Sequence, residues 1–316
     1  VDTAGQLDPA DVAALAARIA ENVTLAVKVS ERTLRDVLVA LVAEGHVLIE
    51  DHPGVGKTAL VRALARSIDA AYARVQCTSD LLPADVVGTN VFNQREARFD
   101  FRPGPVFANL VLVDEINRAP PKTQSGLLEC MQERHVTVDA ATHELARPFV
   151  VLATQNPVEY AGTYPLPENQ LDRFMVRVSL GYPPTRREIE MLSEHATGDR
   201  VLELEPVATV ADVLAAQDAA MRVHTSELLL RYVVTVLDRI RGDARVTFGA
   251  SPRAGLLLVK AAKALAALEG RDHVLPDDIQ ELVPAVLAHR LMLAPTAAGV
   301  ERTEVLADAL EQAPAL

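Results

Sequence analysis

Residues 47–65 read VLIEDHPGVGKTALVRALA. Three aliphatic side chains and a carboxylate come first, then a loop with two glycines, then a lysine, a threonine and apolar residues at helical spacing. This is the pattern of a buried strand that hands the chain to a helix N-terminus. Such a strand needs a parallel sheet around it and helices over both faces of that sheet. Gly54 and Gly56 lack a Cβ, so the backbone there can curl its N–H groups around phosphate oxygens. The helix starting near Lys57 adds its positive end. Lys57 brings a mobile charge, and the Thr58 hydroxyl can ligate Mg2+. Pro53, Gly54, Val55, Gly56, Lys57, Thr58 and Ala59 are therefore the candidate nucleotide contacts. The spacing is that of G-x-x-x-x-G-K-[ST], except that Asp51 stands at the first glycine. Asp is at home in turns, so Asp51 reads as a variant of the entry turn.

The rest of the chain repeats the alternation. Apolar runs at 46–50, 72–76, 110–114, 149–154 and 174–178 are separated by helical stretches, which predicts a parallel α/β sheet. Residues 9–44 read as two helices, the first with an Asp cap and a Pro in its first turn, the second ending at Gly45 as a C-cap. Two alternating stretches, 90–109 and 134–149, read as hairpins inserted into this scheme. Beyond Gly181 no strand-like core run recurs, and helices are expected at 185–196, 209–221, 225–242, 251–269, 276–291 and 301–312. The expected division is an α/β domain over 1–180 and a helical domain over 181–316.

Bulk properties narrow the function. The 316 residues are 49% hydrophobic and 23% charged, with a net charge of −12. That balance weighs against binding naked DNA or RNA, which needs a surplus of Lys and Arg. Two cysteines, Cys77 and Cys130, cannot make a disulfide framework or a zinc site and read as reduced core thiols. No run reaches ~18 uninterrupted apolar residues, so no membrane span is expected. The opening VDTAGQLDPADV lacks a signal-peptide pattern, and the cytoplasm is the expected compartment.

Further chemistry sits at strand ends. LVLVDEINRAP closes an apolar run on Asp114 and Glu115. Carboxylates at a buried strand terminus are costly without a partner. A phosphate-bound Mg2+ would give Asp114 one through its coordinated waters, and Glu115 could orient an attacking water. A pair capping the following helix is the alternative. FVVLATQNP puts Asn156 just beyond another buried run, where strand ends of a parallel sheet line one crevice. Asn-Pro is also an ordinary turn signal.

Taken together, DHPGVGKT, LVLVDEINRAPPKTQSGLLECMQE, ATQNPVEYAGTYPLPENQLDRF and GASPRAGLLLVKAAKALA resemble the MoxR family of AAA+ ATPases over roughly residues 10–300. Asp51 and Gly255 depart from the family pattern. The resemblance implies a five-stranded sheet of order 5-1-4-3-2 followed by a helical lid. It implies ATP and Mg2+ as cofactors, with Asp114 and Glu115 as the Walker B pair and Asn156 as sensor 1. Arg173, in QLDRF, matches an arginine finger that reaches a neighbouring subunit's nucleotide. Arg253, in SPR, matches sensor 2, which contacts the γ-phosphate from the lid. The hairpins match the helix-2 insert and the pre-sensor-1 hairpin. A hexameric, chaperone-like motor working with a von Willebrand factor A domain partner is the implied function. From the residues alone, Arg173 could instead pair with Asp172 or Glu168, and Arg253 could be a solvent arginine. A metal-chelatase motor subunit, an insert-bearing nucleic-acid motor and a nucleotide-gated scaffold are the competing functions. The absence of an N-K-x-D guanine motif argues against a GTPase.

Overall fold

The computed structural model describes residues 7–52, 54–139, 141–156, 163–182 and 199–314. Helix α1 (Pro9–Ala26) begins at a reciprocal cap: the Asp11 N–H donates to the Asp8 carboxylate at 2.9 Å, and the Asp8 N–H donates to Asp11 at 3.2 Å. Helix α2 (Glu31–Val42) is capped by Ser30, whose hydroxyl accepts from the Thr33 N–H. It ends through Glu44, which takes a left-handed φ of 53°. Gly45 is therefore not the left-handed C-cap that its position predicts. A Cβ on Gly45 would lie 2.5 Å from the Met175 sulfur, so a close approach of chains explains this glycine.

The strands follow in chain order as β1 (Val47–Glu50), β2 (Tyr72–Gln76), β3 (Gly88–Asn93), β4 (Arg98–Pro103), β5 (Leu110–Asp114), β6 (His135–Val138), β7 (Ala141–Glu144), β8 (Val150–Gln155) and β9 (Val176–Val178). Five of them form one sheet in the order β2-β5-β8-β1-β9, with every neighbour parallel. Counting only these five along the chain gives 2-3-4-1-5, the expected order read from the opposite edge. Strands β3 and β4 pair as one antiparallel hairpin and β6 and β7 as another, where the inserts were expected.

Alternation along each strand divides the packing between two cores. Val47, Ile49, Leu110, Leu112 and Leu152 point into one, covered by α1, α2 and α3 (Lys57–Ser67). Leu48, Val111, Val113, Val151 and Ala153 point into the other, under α4 (Pro83–Val87) and α5 (Pro121–Glu133). Continuous apolar runs in the sequence are thus strands buried on both faces.

After α6 (Glu168–Leu171) and β9 come α7 (Val210–Arg222), α8 (Glu227–Gly242), α9 (Pro252–Leu268), α10 (Pro276–Leu287) and α11 (Arg302–Gln312). The helix expected over 185–196 falls outside the described residues. A short ribbon of β10 (Val246–Phe248) and β11 (Met292–Leu293) interrupts the helices. Patterning missed it because so short a pair, half exposed, carries no core alternation. The first core runs without a break into this layer, because α1 packs on both α3 and α9 and α2 packs on α7 and α9. Both cysteines are buried and free, and burial pushes each thiol up to about 12. Among the described residues no helix is long and apolar enough to cross a membrane.

Candidate functional site

Parallel strands bring their C-terminal ends to one edge of the sheet, and the cleft of this protein opens there. It has a volume of about 680 Å³. Gly54, Gly56, Lys57, Thr58, Ala59, Asp114, Glu115 and Asn156 all line it. These residues come from three segments spread over about a hundred positions, and the sheet order alone makes them neighbours. Val55 is half-buried but does not line the cleft. Pro53 lies outside the described residues.

The loop owes its form to glycine. Gly54 and Gly56 have φ of 87° and 91°, which L side chains rarely adopt. Gly56 is the N-cap of α3, so the unpartnered N–H groups of the helix's first turn face the cleft. Lys57 folds back, its Nζ donating to the carbonyls of Asp51 at 2.8 Å and His52 at 3.2 Å. Burial lowers the Lys57 pKa below that of an ordinary lysine, against the pull of Asp51, Asp114 and Glu115.

The far wall is held by hydrogen bonds between strands. The Glu115 N–H donates to Thr154 Oγ1 at 2.9 Å, and that hydroxyl donates to Asp114 Oδ1 at 3.2 Å. Glu115 itself is left-handed, with φ 55° and ψ 52°. A non-glycine residue in that region costs about 1–3 kcal/mol and is held there only by its surroundings. The turn carries its carboxylate toward the cleft, where Oε2 accepts from Arg118 at 2.8 Å and from Gln76 Nε2 at 3.3 Å. Asp114 is buried and its Oδ2 accepts from Nε and Nη2 of Arg74, both at 2.7 Å.

Arg62, Arg74, Gln76, Thr154 and Asp199 complete the lining, and sequence reasoning named none of them. For two of them a signal was present. Arg74 and Gln76 sit two apart in YARVQ, on the same face of β2, and register places Gln76 beside Asp114. The ion pair of Arg62 with Asp199, at 2.9 Å, joins residues 137 positions apart and left no trace in local pattern.

The two distal arginines are not in this cleft. The Arg173 guanidinium donates to the Leu128 carbonyl. Asp172, its expected ion-pair partner under the alternative reading, is taken by Arg290 at 2.7 Å. Arg253 is exposed at the start of α9 and contacts Gln132 Oε1 at 3.4 Å. Leu128 and Gln132 are one turn apart on α5, so both arginines lie along the same stretch of that helix.

The donor set fits a metal carried by phosphates. The Thr58 hydroxyl and the Asp114 carboxylate, the two groups expected to hold a metal, line the same cleft. Among the described residues no cluster of three His, Cys, Asp or Glu could form a protein cage for a metal. Mg2+ prefers such sparse protein ligation beside substrate phosphates.

Comparison with known proteins gives concordant matches. A family model described as "ATPase family associated with various cellular activities (AAA)" matches residues 46–176, and one described as "AAA lid domain" matches residues 239–311. The chain is 51% identical over 260 residues to the uncharacterized protein YeaC of Bacillus subtilis, covering 82% of this chain and 81% of that one. It is 43% identical over 272 residues to the chaperone MoxR1 of Mycobacterium tuberculosis, covering 83% of this chain and 72% of that one. A solved structure described as "crystal structure of a putative ATPase from Cytophaga hutchinsonii" superposes with a TM-score of 0.90 at 35% identity, over 98% of this chain and 97% of the other.

Proposed function

The chain belongs to the MoxR family of AAA+ ATPases, and on that premise we propose that it hydrolyses ATP with Mg2+ at the cleft beside Gly54–Ala59, with the site completed by a second copy of the chain. The observation that carries this reading is the split arrangement: a glycine loop, a lysine and two carboxylates share one cleft, while Arg173 and Arg253 lie outside it along α5.

Within the cleft, the backbone amides near Gly54 and Gly56 and the Lys57 ammonium hold the triphosphate. Thr58 and Asp114 would hold the metal, which supplies charge neutralisation at the β- and γ-phosphates. Arg74 engages Oδ2 of Asp114 in this structure, so that guanidinium would share the carboxylate with a metal or turn to a phosphate. Glu115 accepts a proton from the attacking water, and Asn156 helps orient that water. The present contacts of Glu115 with Arg118 and Gln76 are both made by Oε2. Developing charge on the γ-phosphate calls for a cation beyond Lys57, and the arginines already in the cleft, Arg62 and Arg74, are paired with Asp199 and Asp114. Arg173 of an adjacent copy provides it, and Arg253 accompanies it from the lid. Assembly into a closed ring, a hexamer by family resemblance, ties hydrolysis to oligomerisation.

The output we propose is mechanical: hydrolysis shifts the lid and the two hairpins against a client protein, with a von Willebrand factor A domain protein as partner. The name of the mycobacterial relative, a chaperone, supports that direction. The direct test compares Lys57→Ala with Glu115→Gln. The first is expected to lose ATP binding. The second is expected to bind ATP with near-normal affinity and turn over ~10²–10⁴-fold more slowly, the scale of losing a general base. Unchanged turnover in Glu115→Gln would overturn the assignment.

A further inference from the structure

Asp51 stands where phosphate loops of this spacing usually carry glycine, and its surroundings give it a task. The residue is buried. Its Oδ1 accepts from the Ser179 hydroxyl at 2.9 Å and the Gly181 N–H at 3.2 Å, and its Oδ2 accepts from the Leu180 N–H. All three donors lie just past the end of β9. The Asp51 N–H donates to the Gln155 carbonyl at 3.2 Å, extending the ladder to β8 next to Asn156. Its own carbonyl accepts from Lys57 Nζ at 2.8 Å. One residue thus touches the phosphate-binding lysine, the end of β8 and the exit of β9.

The neighbouring residue reinforces the same junction. Glu50, the last residue of β1, accepts from Arg177 of β9 at 2.9 Å. Ser179 in turn presents its carbonyl to Thr33 Oγ1 at 3.0 Å, which ties the exit of β9 to the start of α2. Arg173 lies at the other end of β9, just before the strand begins.

We propose that Asp51 is a positioning residue that clamps the phosphate loop to the exit of β9, so that nucleotide held on the loop is felt along the strand whose entrance carries Arg173. The proposal rests on the reading of the cleft as a nucleotide site. When Lys57 turns toward a phosphate, it loosens its hold on the Asp51 carbonyl. The carboxylate of the same residue transmits that change to Ser179, Leu180 and Gly181. A glycine at this position would leave three donors without their acceptor and the loop without its anchor.

The experiment compares wild type, Asp51→Asn and Asp51→Gly, the last of which restores the usual motif. Binding of a fluorescent ATP analogue with Mg2+, steady-state turnover, and amide hydrogen exchange over residues 174–181 with and without nucleotide are measured. Charge-assisted hydrogen bonds of this kind predict that Asp51→Gly binds the analogue about 10- to 100-fold more weakly. Because Lys57 and Glu115 are untouched, the loss is expected chiefly in KM, with kcat at saturating ATP falling less than binding does, through loosened placement of Arg173. Exchange at Leu180 and Gly181 should become fast and stop responding to nucleotide. Asp51→Asn, which keeps one acceptor oxygen, should fall between the two. Wild-type binding in Asp51→Gly, or an unchanged exchange response at 180–181, overturns the proposal. If Asp51→Gly fails to fold, the same criteria apply to Asp51→Asn. If the wild-type protein binds no nucleotide, the functional reading falls by itself. The clamp is then judged by whether Leu180 and Gly181 exchange faster in ligand-free Asp51→Gly than in wild type.

Discussion

Single residues in this protein hold conformations and charges that only their neighbours make tolerable. Glu115 keeps a left-handed backbone because Thr154 takes its N–H, and the same hydroxyl donates to Asp114. Asp36, on α2, shows a different burden. Burial raises its pKa to about 6, with Arg32 and Arg35 pulling it down and Glu281 pushing it up. The folded state therefore holds this proton more tightly than the unfolded chain. The resulting contribution to stability is full below the unfolded value near 4 and is lost as pH rises through about 6. Asp36→Asn removes the buried charge and is expected to raise unfolding free energy at pH 7.5 by on the order of 2 kcal/mol. At pH 4 the difference should shrink toward zero. Urea denaturation at the two pH values checks this, and an equal effect at both would show that the charge is not the cause.

At the scale of elements, the two hairpins behave as one body rather than two ornaments. The ring of His143 on β7 stacks on Phe101 of β4 with centroids 3.8 Å apart, and Phe107 meets the same pair edge-on. Asn90 on β3 donates to Asp139 in the other hairpin's turn at 2.6 Å. Stacked rings of this kind contribute about 0.5–1.5 kcal/mol beyond their buried area. Near the end of the first hairpin, Phe92 and Phe99 pair across the strands and remain exposed, at 51% and 68%. Under the proposed function, this exposed pair is a surface on which a client protein would be met. His143→Ala is expected to speed amide exchange in both hairpins while leaving the five-stranded sheet protected. Faster exchange confined to β6 and β7 would show that the hairpins move independently.

Across the whole molecule, one buried guanidinium joins the helical layer to the sheet. Arg290 follows α10 and donates to the Asp172 carboxylate at 2.7 Å and to the carbonyls of Asp172 at 3.0 Å and Phe174 at 2.6 Å. Burial lowers its pKa, and Asp172 opposes that shift. Removing one partner of such a buried pair costs about 3–5 kcal/mol, so Arg290→Met is expected to lower unfolding free energy by that order, read by urea denaturation. The same clamp fixes Asp172, the residue beside Arg173. The proposed division of the site between copies is tested by mixing variants. Arg173→Ala is expected to bind ATP normally and lose ~10³-fold or more in turnover, the scale of an arginine finger. Mixing it with Lys57→Ala should restore part of the activity, because one variant supplies an intact cleft and the other an intact arginine. No recovery on mixing would place the arginine's action within one chain.

What the sequence determined by itself was whatever is written in short-range order. The run-loop-helix at 47–65, the buried runs, the hairpin alternation and the carboxylates closing β5 are all periodicities or end signals spanning fewer than about twenty residues. Parallel strands then bring Lys57, Asp114, Glu115 and Asn156 to one edge almost unavoidably, which is why these were legible before any coordinate. The tertiary structure alone decided which charges meet. Arg74 reaches Asp114 across forty positions, Asp51 finds its donors at 179–181, and Arg253, at the start of α9, meets α5 rather than the cleft. A backbone pattern repeats along the chain and is encoded locally. The partner of a side chain depends on strand register and on how helical layers settle against the sheet, and neither is fixed by its neighbours in sequence.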